Sequence, residues 1–371
     1  MNNKNFDIVI DFGSSKIRAG VIGKNDTINN FYYESDHFFD HHKVESEIKK
    51  IISIIEENTN EYLNSINLMI DSPKIQSIGL SLLKNFGGSK LKKKDIQFLI
   101  QDAKQQILRN YSDQYIVHII IKNYKIDNID YAYLPTEVIC NLISVDIIFI
   151  CMPKKDIEDL KKIFFNFDIS INQIFCSSYT KSINYKKNFP STENILFIDM
   201  GFNKTSMTCY NKNQFSFFHI IPVGGNHITK DLSKILSVDL KSAEEIKLFF
   251  DKDNDILSKK KISLELTQKI IFARIEEILE LSVKSMKLNQ NLKTVDDFKI
   301  VLMGDGSKIL DNKFKEKISF PWKIDLLEET VQGICESTLK LTNDPNKQEV
   351  VMIRKKQIKE GFFEKLFLFF R

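Results

Sequence analysis

Short apolar runs closed by turn residues alternate with helical stripes along most of this chain. Ile8–Phe12, Ile17–Ile22 and Ile28–Tyr33 read as three strands, joined through Gly13-Ser14-Ser15 and Gly23-Lys24-Asn25-Asp26. The next segment has helical spacing: Val44, Ile48, Ile51, Ile52 and Ile55 share one face, with acids and lysines opposite. Asn67–Ile70 returns to a strand. Between about Ser72 and Met152 the texture changes. A helix capped by Asp95 carries Ile96, Leu99, Ile100, Ala103 and Ile107 on one stripe, and strands Ile116–Tyr124 and Val138–Cys151 flank it. This stretch predicts a small α+β subdomain inserted into a first domain.

The opening pattern then repeats. Helix Lys154–Phe167 and strand Ile169–Phe175 complete the first domain, and a linker, Tyr185–Glu193, follows with Pro190 inside it. A strand from Ile195 runs into a turn, then strands Thr205–Tyr210 and Phe215–Ile221. Pro222-Val223-Gly224-Gly225-Asn226 leads into helix His227–Leu236, helix Ser242–Phe250 and a long helix, Leu264–Leu288, with Ile270, Ile271, Ile275, Ile278 and Leu281 apolar. Strand Lys299–Met303 enters Gly304-Asp305-Gly306-Ser307, and helix Leu326–Leu341 closes the body. Such a duplication predicts an α/β fold of two equivalent domains. Residues 1–71 and 154–190 form the first, 72–153 the insert, and 191–341 the second, with a helical part at about 227–295.

The tail is separate. Residues 342–353 are polar around Pro345 and read as a linker. Arg354-Lys355-Lys356 precedes a segment that, wound as a helix, puts Phe362, Phe363, Leu366, Phe367 and Phe370 on one face and Glu360, Glu364 and Lys365 off it. An amphipathic helix with a basic approach suits a membrane interface. One such helix binds weakly, so stable attachment needs several copies acting together.

Composition narrows the class. Hydrophobic residues are 43% and charged residues 27% of 371, as in a folded globular protein. A net charge of +4 on this length does not call for a nucleic acid, and the basic runs Lys90–Lys94 and Lys259–Lys261 read as solvated faces. The five cysteines, Cys140, Cys151, Cys176, Cys209 and Cys335, form no Cys-x-x-Cys and are odd in number, which predicts buried thiols in a reducing compartment. Met1–Asn5 offers no signal-peptide core, and no run reaches ~18 apolar residues, so the chain is expected in the cytoplasm. His37, His41 and His42 cluster with Asp36 and Asp40, but their spacing fits no zinc pattern.

Candidate chemistry lies in two turns. Ile8-Val9-Ile10-Asp11-Phe12-Gly13 and Ile195-Leu196-Phe197-Ile198-Asp199-Met200-Gly201 both end an apolar run in Asp, one residue, then Gly. The Asp sits where the strand leaves the sheet, and the Gly allows a sharp turn whose N–H groups approach an anion. One such turn is an ordinary turn. Two, one opening each half, predict phosphate-binding turns that clamp one nucleotide.

With Ile221-Pro222-Val223-Gly224-Gly225-Asn226-His227-Ile228-Thr229-Lys230-Asp231, Ala243-Glu244-Glu245-Ile246-Lys247, the Val301–Leu310 loop, the insert and the tail, these turns resemble the bacterial cell-division family FtsA, of the actin/Hsp70/sugar-kinase superfamily. The resemblance implies an actin-like (ribonuclease H-like) two-domain ATPase fold with ATP and Mg²⁺ between the halves. Asp11 and Asp199 would hold the ion through water, which Mg²⁺ retains readily. Gly13, Ser14, Ser15 and Lys16 would meet phosphate from one side, and Gly201, Asn203, Lys204 and Thr205 from the other. Gly224 and Gly225 would leave room near the sugar, Glu244 and Lys247 would contact ribose and base, and Gly304, Gly306 and Ser307 would approach the adenosine. Two positions depart from the family pattern: Phe202 stands where glycine is usual, and Asp305 where a small residue is usual. Slow or absent hydrolysis is the expectation. The implied partners are the C-terminal peptide of FtsZ, met by Arg274 on the long helix, further copies of the chain in filaments, and the inner membrane surface through the tail. A sugar-kinase-like phosphotransferase and other actin-like scaffolds remain the alternatives. The amphipathic tail argues against a PilM type, and the insert against an MreB type.

Overall fold

The computed structural model describes residues 6–23, 30–36, 43–135, 138–249, 262–290, 296–310, 317–342 and 348–350. His37, His41, His42, Asp40, Lys259–Lys261 and the whole tail helix, with Phe362, Phe363, Leu366, Phe367 and Phe370, lie outside the described residues.

Two sheets carry the duplication. The first contains β1 (Phe6–Phe12), β2 (Lys16–Gly23), β3 (Phe31–Asp36), β4 (Ser65–Ile70) and β9 (Ser170–Cys176), in the order β3-β2-β1-β4-β9. The second contains β10 (Ile195–Met200), β11 (Thr205–Asn211), β12 (Gln214–Ile221), β13 (Lys299–Met303) and β14 (Ile324–Leu326), in the order β12-β11-β10-β13-β14. In each, an antiparallel three-strand meander leads with its first strand into two parallel strands.

Strand β10 shows how the sequence builds this layering. All six of its residues are buried. Alternate side chains point to opposite faces, so Ile195 and Phe197 join the core between the sheets, and Leu196, Ile198 and Met200 join the core on the outer face. That outer core is covered by α5 (Gly225–Leu236), α6 (Leu240–Phe249) and α7 (Leu264–Gln290), through Ile228, Leu232, Ile246, Ile271, Ile275 and Ile278. On the first sheet, α1 (Lys43–Thr59) buries Ile48, Ile51 and Ile55, and α3 (Lys154–Phe165) buries Ile157 and Phe164. Helices α4 (Ser177–Lys186) and α8 (Val331–Thr342) pack on each other; α4 meets β9 and β11, and α8 meets β1 and β2.

The insert is a sheet with one helix on it. Strands β5 (Gln76–Lys90), β6 (Gln114–Ile126), β7 (Ile129–Tyr131) and β8 (Ile139–Pro153) run β5-β8-β6-β7, and α2 (Lys93–Asn110) buries Ile96, Leu99, Ile100, Ala103 and Ile107 as its stripe requires. Residues Gln348–Val350 extend the free edge of β6: Ile121 N–H donates to Gln348 O at 2.8 Å and Val350 N–H to Ile119 O at 2.8 Å. Phe215 N–H on β12 donates to Gln348 Oε1 at 2.9 Å, so this short segment ties the insert to the second sheet.

Several elements differ from the expectation. The third strand begins at Phe31 rather than Ile28, within what is described. Asp95 is not the N-cap; it sits in the first turn of α2, and its carboxylate accepts the Lys92 N–H at 3.0 Å. Leu326 ends β14, and the last helix starts only at Val331, because Thr330 Oγ1 accepts the Gly333 N–H at 3.0 Å and so caps it. Strand β5 and helix α4 have no counterpart in the sequence reading. All five cysteines are buried free thiols, and burial pushes those of Cys151 and Cys209 up to about 12.

Candidate functional site

Five strand ends converge. Asp11 lies at the end of β1, Asp71 follows β4, Ser177 follows β9, Asp199 lies at the end of β10 and Asp305 follows β13; all line one cleft between the two sheets. The carboxyl ends of parallel strands are where α/β sheets place their sites. The two turns are equivalent in detail. Gly13 N–H donates to Lys16 O at 3.0 Å, and Gly201 N–H donates to Lys204 O at 2.9 Å. A Cβ at Gly13 would stand 2.9 Å from Lys16 O, and one at Gly201 3.2 Å from Lys204 O. Glycine thus permits closure of the turn itself, and its amide is engaged there.

The cleft is filled by ion pairs. Arg18 stands opposite Asp11 in the β1–β2 register. Its guanidinium meets Asp11 Oδ2 at 3.1 Å and Glu34 Oε2 at 2.6 Å, and also bonds Asp305 from the second lobe. Lys181 on α4 meets Asp199 Oδ2 at 2.9 Å and Glu329 Oε1 at 3.1 Å. Lys204, from the second turn, meets Asp71 Oδ2 at 2.6 Å and donates to Ser178 Oγ at 2.7 Å. Ser177 Oγ donates to Asp11 Oδ1 at 2.7 Å. Asp11, Arg18, Lys181, Asp199 and Lys204 are buried, so their charges act through little water, while Glu34 stands at the exposed rim. Burial opposes the charge on Asp199, but Lys181 and Lys204 outweigh it and hold its carboxyl below the usual range. Burial likewise opposes Asp305, and Arg18, Lys308 and Lys16 overcome it. Burial works against charge on Lys181, yet Asp199, Glu329 and Asp11 hold its ammonium well above the ordinary lysine value. Burial, against the pull of Lys181 and with the Asp199 charge adding to it, pushes the Glu329 carboxyl up to about 7.

The remaining expected residues fall into two groups. Ser14, Ser15 and Lys16 line the cleft, with the Lys16 ammonium 2.6 Å from Glu34 Oε1. Asn203, Thr205, Gly224 and Gly225 instead bind the second turn to the start of α5. Gly225 N–H donates to Gly201 O at 2.9 Å, Asn226 N–H to Phe202 O at 2.7 Å, Asn226 Nδ2 to Asn203 Oδ1 at 3.0 Å, and Thr205 Oγ1 to Val223 O at 2.7 Å. A Cβ at Gly224 would lie 2.6 Å from Gly201 O, so that glycine is required by the turn packed on it. Glu244 and Lys247 are buried and meet each other at 2.7 Å; Lys247 also donates to Thr229 Oγ1 at 2.8 Å and lies under the Phe202 ring at 5.5 Å. Gly304, at φ +94°, and Gly306 pack against Asp199 and Met200, and Ser307 Oγ donates to Gly304 O at 2.7 Å. Sequence reasoning missed Arg18, Asp71, Ser177, Ser178, Lys181 and Glu329. Only Arg18 carried a signal, as a lone charge in an apolar strand at the position that pairs with Asp11 across the hairpin.

The family model for "Cell division protein FtsA" matches residues 196–298, from β10 through α7. The FtsA of Helicobacter pylori (strain 26695) is 28% identical over 137 residues, which are 37% of this chain and 28% of that protein. The FtsA of Buchnera aphidicola is 24% identical over 360 residues, covering 85% of this chain and 84% of that one. The chain is a divergent relative of FtsA. The Helicobacter match spans under a third of that FtsA, so it does not speak for the whole protein. A chain of the PilM–PilN type IV pilus biogenesis complex superposes with a TM-score of 0.59 at 11% identity, covering 88% of this chain and 89% of that one. This likeness shows the fold, the actin-like ATPase fold with its two duplicated lobes.

Mg²⁺ with ATP does not fit the cleft in this arrangement. Both oxygens of Asp11 have partners, and the Asp199 carboxylate faces an ammonium where a divalent ion would need it. The free volume is about 60 Å³, room for a few ordered waters, whereas small-molecule pockets run to roughly 300–1,000 Å³. Among the described residues no group of three or more His, Cys, Asp or Glu side chains stands ready to hold a metal ion.

Proposed function

We propose that this chain is an actin-like cell-division scaffold that binds the C-terminal peptide of FtsZ, self-associates, and sits on the inner face of the cell membrane through residues 354–371. The observation that carries this is the FtsA match itself, because it covers α5 to α7, the surface on which the peptide would dock. Arg274 on α7 is the anchor. Its guanidinium is held by Asp231 at 2.7 Å and 3.1 Å and by Glu277 at 2.5 Å, and its side chain is 26% exposed. Asp231 on α5 fixes the fork, and an acidic peptide would exchange for Glu277 on the outer side, the geometry in which arginine recognises carboxylates. No helix among the described residues is long and apolar enough to cross a membrane; the reading places attachment in the tail.

Arg274→Glu is expected to weaken capture of an FtsZ tail peptide at least about tenfold, the loss that follows when a charge pair becomes a like-charge contact. A pull-down on immobilised peptide measures it; equal capture by the variant contradicts the assignment. A chain lacking residues 362–371 is expected to stay in the supernatant when anionic liposomes are sedimented, while the full chain pellets. Equal pelleting would remove the membrane part of the reading and leave the peptide part standing.

A further inference from the structure

We infer that the two lobes are closed on each other by the protein's own side chains, which take over the bridging task otherwise assigned to a bound Mg-ATP. The pairs are reciprocal. Lys181, on the helix that follows β9 of the first sheet, reaches Asp199 of the second. Lys204, in the turn after β10 of the second sheet, reaches Asp71 of the first. Arg18 of the first sheet holds its own Asp11 and reaches Asp305 of the second. Each lobe lends a cation to the other lobe's carboxylates, at the strand ends where a ligand would bridge them.

The supporting residues point the same way. Ser178 and Ser206 hold the Lys204 ammonium from both lobes, and their hydroxyls lie 2.7 Å apart. The Asp305 that departs from the family pattern has a definite task here, as the second-lobe carboxylate for Arg18. Phe202 covers the buried Glu244–Lys247 pair, and that pair is complete without a ligand. A triphosphate and this set of pairs exclude one another, because the same side chains serve both. Closure of the cleft is therefore a property of the folded chain and does not depend on nucleotide. This inference stands on the cleft alone and is independent of the FtsZ and membrane assignments.

The test uses the full chain with spin labels at Glu57→Cys on α1 and Lys234→Cys on α5, both exposed positions, the native thiols being buried. One narrow interlobe distance is expected, unchanged by millimolar Mg-ATP, with no heat of binding on calorimetric titration of the unlabelled chain. Lys181→Ala combined with Lys204→Ala is expected to broaden and lengthen the distance. If that variant does not fold, Asp305→Asn, which keeps the shape and removes one charge, is expected to broaden it in part. Exchanging the charges of one pair, Lys204→Asp with Asp71→Lys, is expected to restore a narrow distance relative to Lys204→Asp alone. Micromolar Mg-ATP binding by the unaltered chain, or a distance that none of these changes moves, would overturn the inference.

Discussion

Lys181→Ala is expected to lower the free energy of unfolding by about 3–5 kcal/mol, the loss typical when one member of a buried ion pair is removed. Lys181 is 7% exposed, and its ammonium is shared by Asp199 and Glu329. Truncation leaves those two carboxylates in one buried site without that cation. The Glu329 carboxyl, already raised to about 7 by burial, takes up a proton more readily still, and this limits the loss. Lys162 supplies the contrast. It lies 3.5 Å from Asp159 with its side chain 75% exposed, so Lys162→Ala is expected to change stability by less than about 0.5 kcal/mol. Urea unfolding followed by circular dichroism measures both. A Lys181→Ala midpoint no lower than that of Lys162→Ala would show that the buried pairs carry no weight.

Gly304→Ala is expected to cost about 3 kcal/mol or more, from backbone strain and a forced contact together. Gly304 follows β13 at φ +94° and ψ +159°, a region open essentially to glycine alone. An added Cβ would meet Asp199 Oδ1 and lie 2.5 Å from Met200 O. Neither can give way, since Asp199 is held by Lys181 and Met200 is buried at the end of β10. Gly79 on β5 has nothing within 4 Å of an added Cβ, and Gly79→Ala is expected to be neutral or to stabilise by up to about 1 kcal/mol through the unfolded chain. The same denaturation series distinguishes the two, and equal midpoints would mean that the Gly304 turn is not under the constraint described.

The duplicated sheets were legible because their strands follow the simplest rule. Ile195 to Met200 are all buried and all apolar except for Asp199 at the end, and the first lobe offers the same run up to Asp11. The helix stripes on α1, α2 and α7 were legible for the same reason: one face is apolar and is the face that packs. Helix α4 broke that rule. Ser177, Ser178, Thr180, Lys181, Ser182 and Asn184 are polar yet buried: Ser177, Ser178 and Lys181 join the cleft and its ion pairs, Ser182 meets the Tyr210 hydroxyl on β11, and Asn184 donates to Gly333 O on α8. A periodicity built on hydrophobic residues passes over such a helix. Strand β5 was hidden differently. It is an edge strand with every residue exposed or half-buried, so no buried apolar run marks it. For the site, the sequence placed Asp11 and Asp199 in one cleft, but it gave no means of seeing which cations fold onto them. Lys181 and Asp71 come from segments with no motif, and only the topology brings them to the strand ends.

A crystal structure of the full chain grown with millimolar Mg-ATP decides whether side chains or nucleotide bridge the two lobes. The expected result is Lys181 against Asp199, Lys204 against Asp71, and Arg18 between Asp11 and Asp305, with the lobes shut and no triphosphate between them. A metal ion seated between Asp11 and Asp199, with the three basic side chains turned away from it, would show that nucleotide and not these pairs closes the cleft.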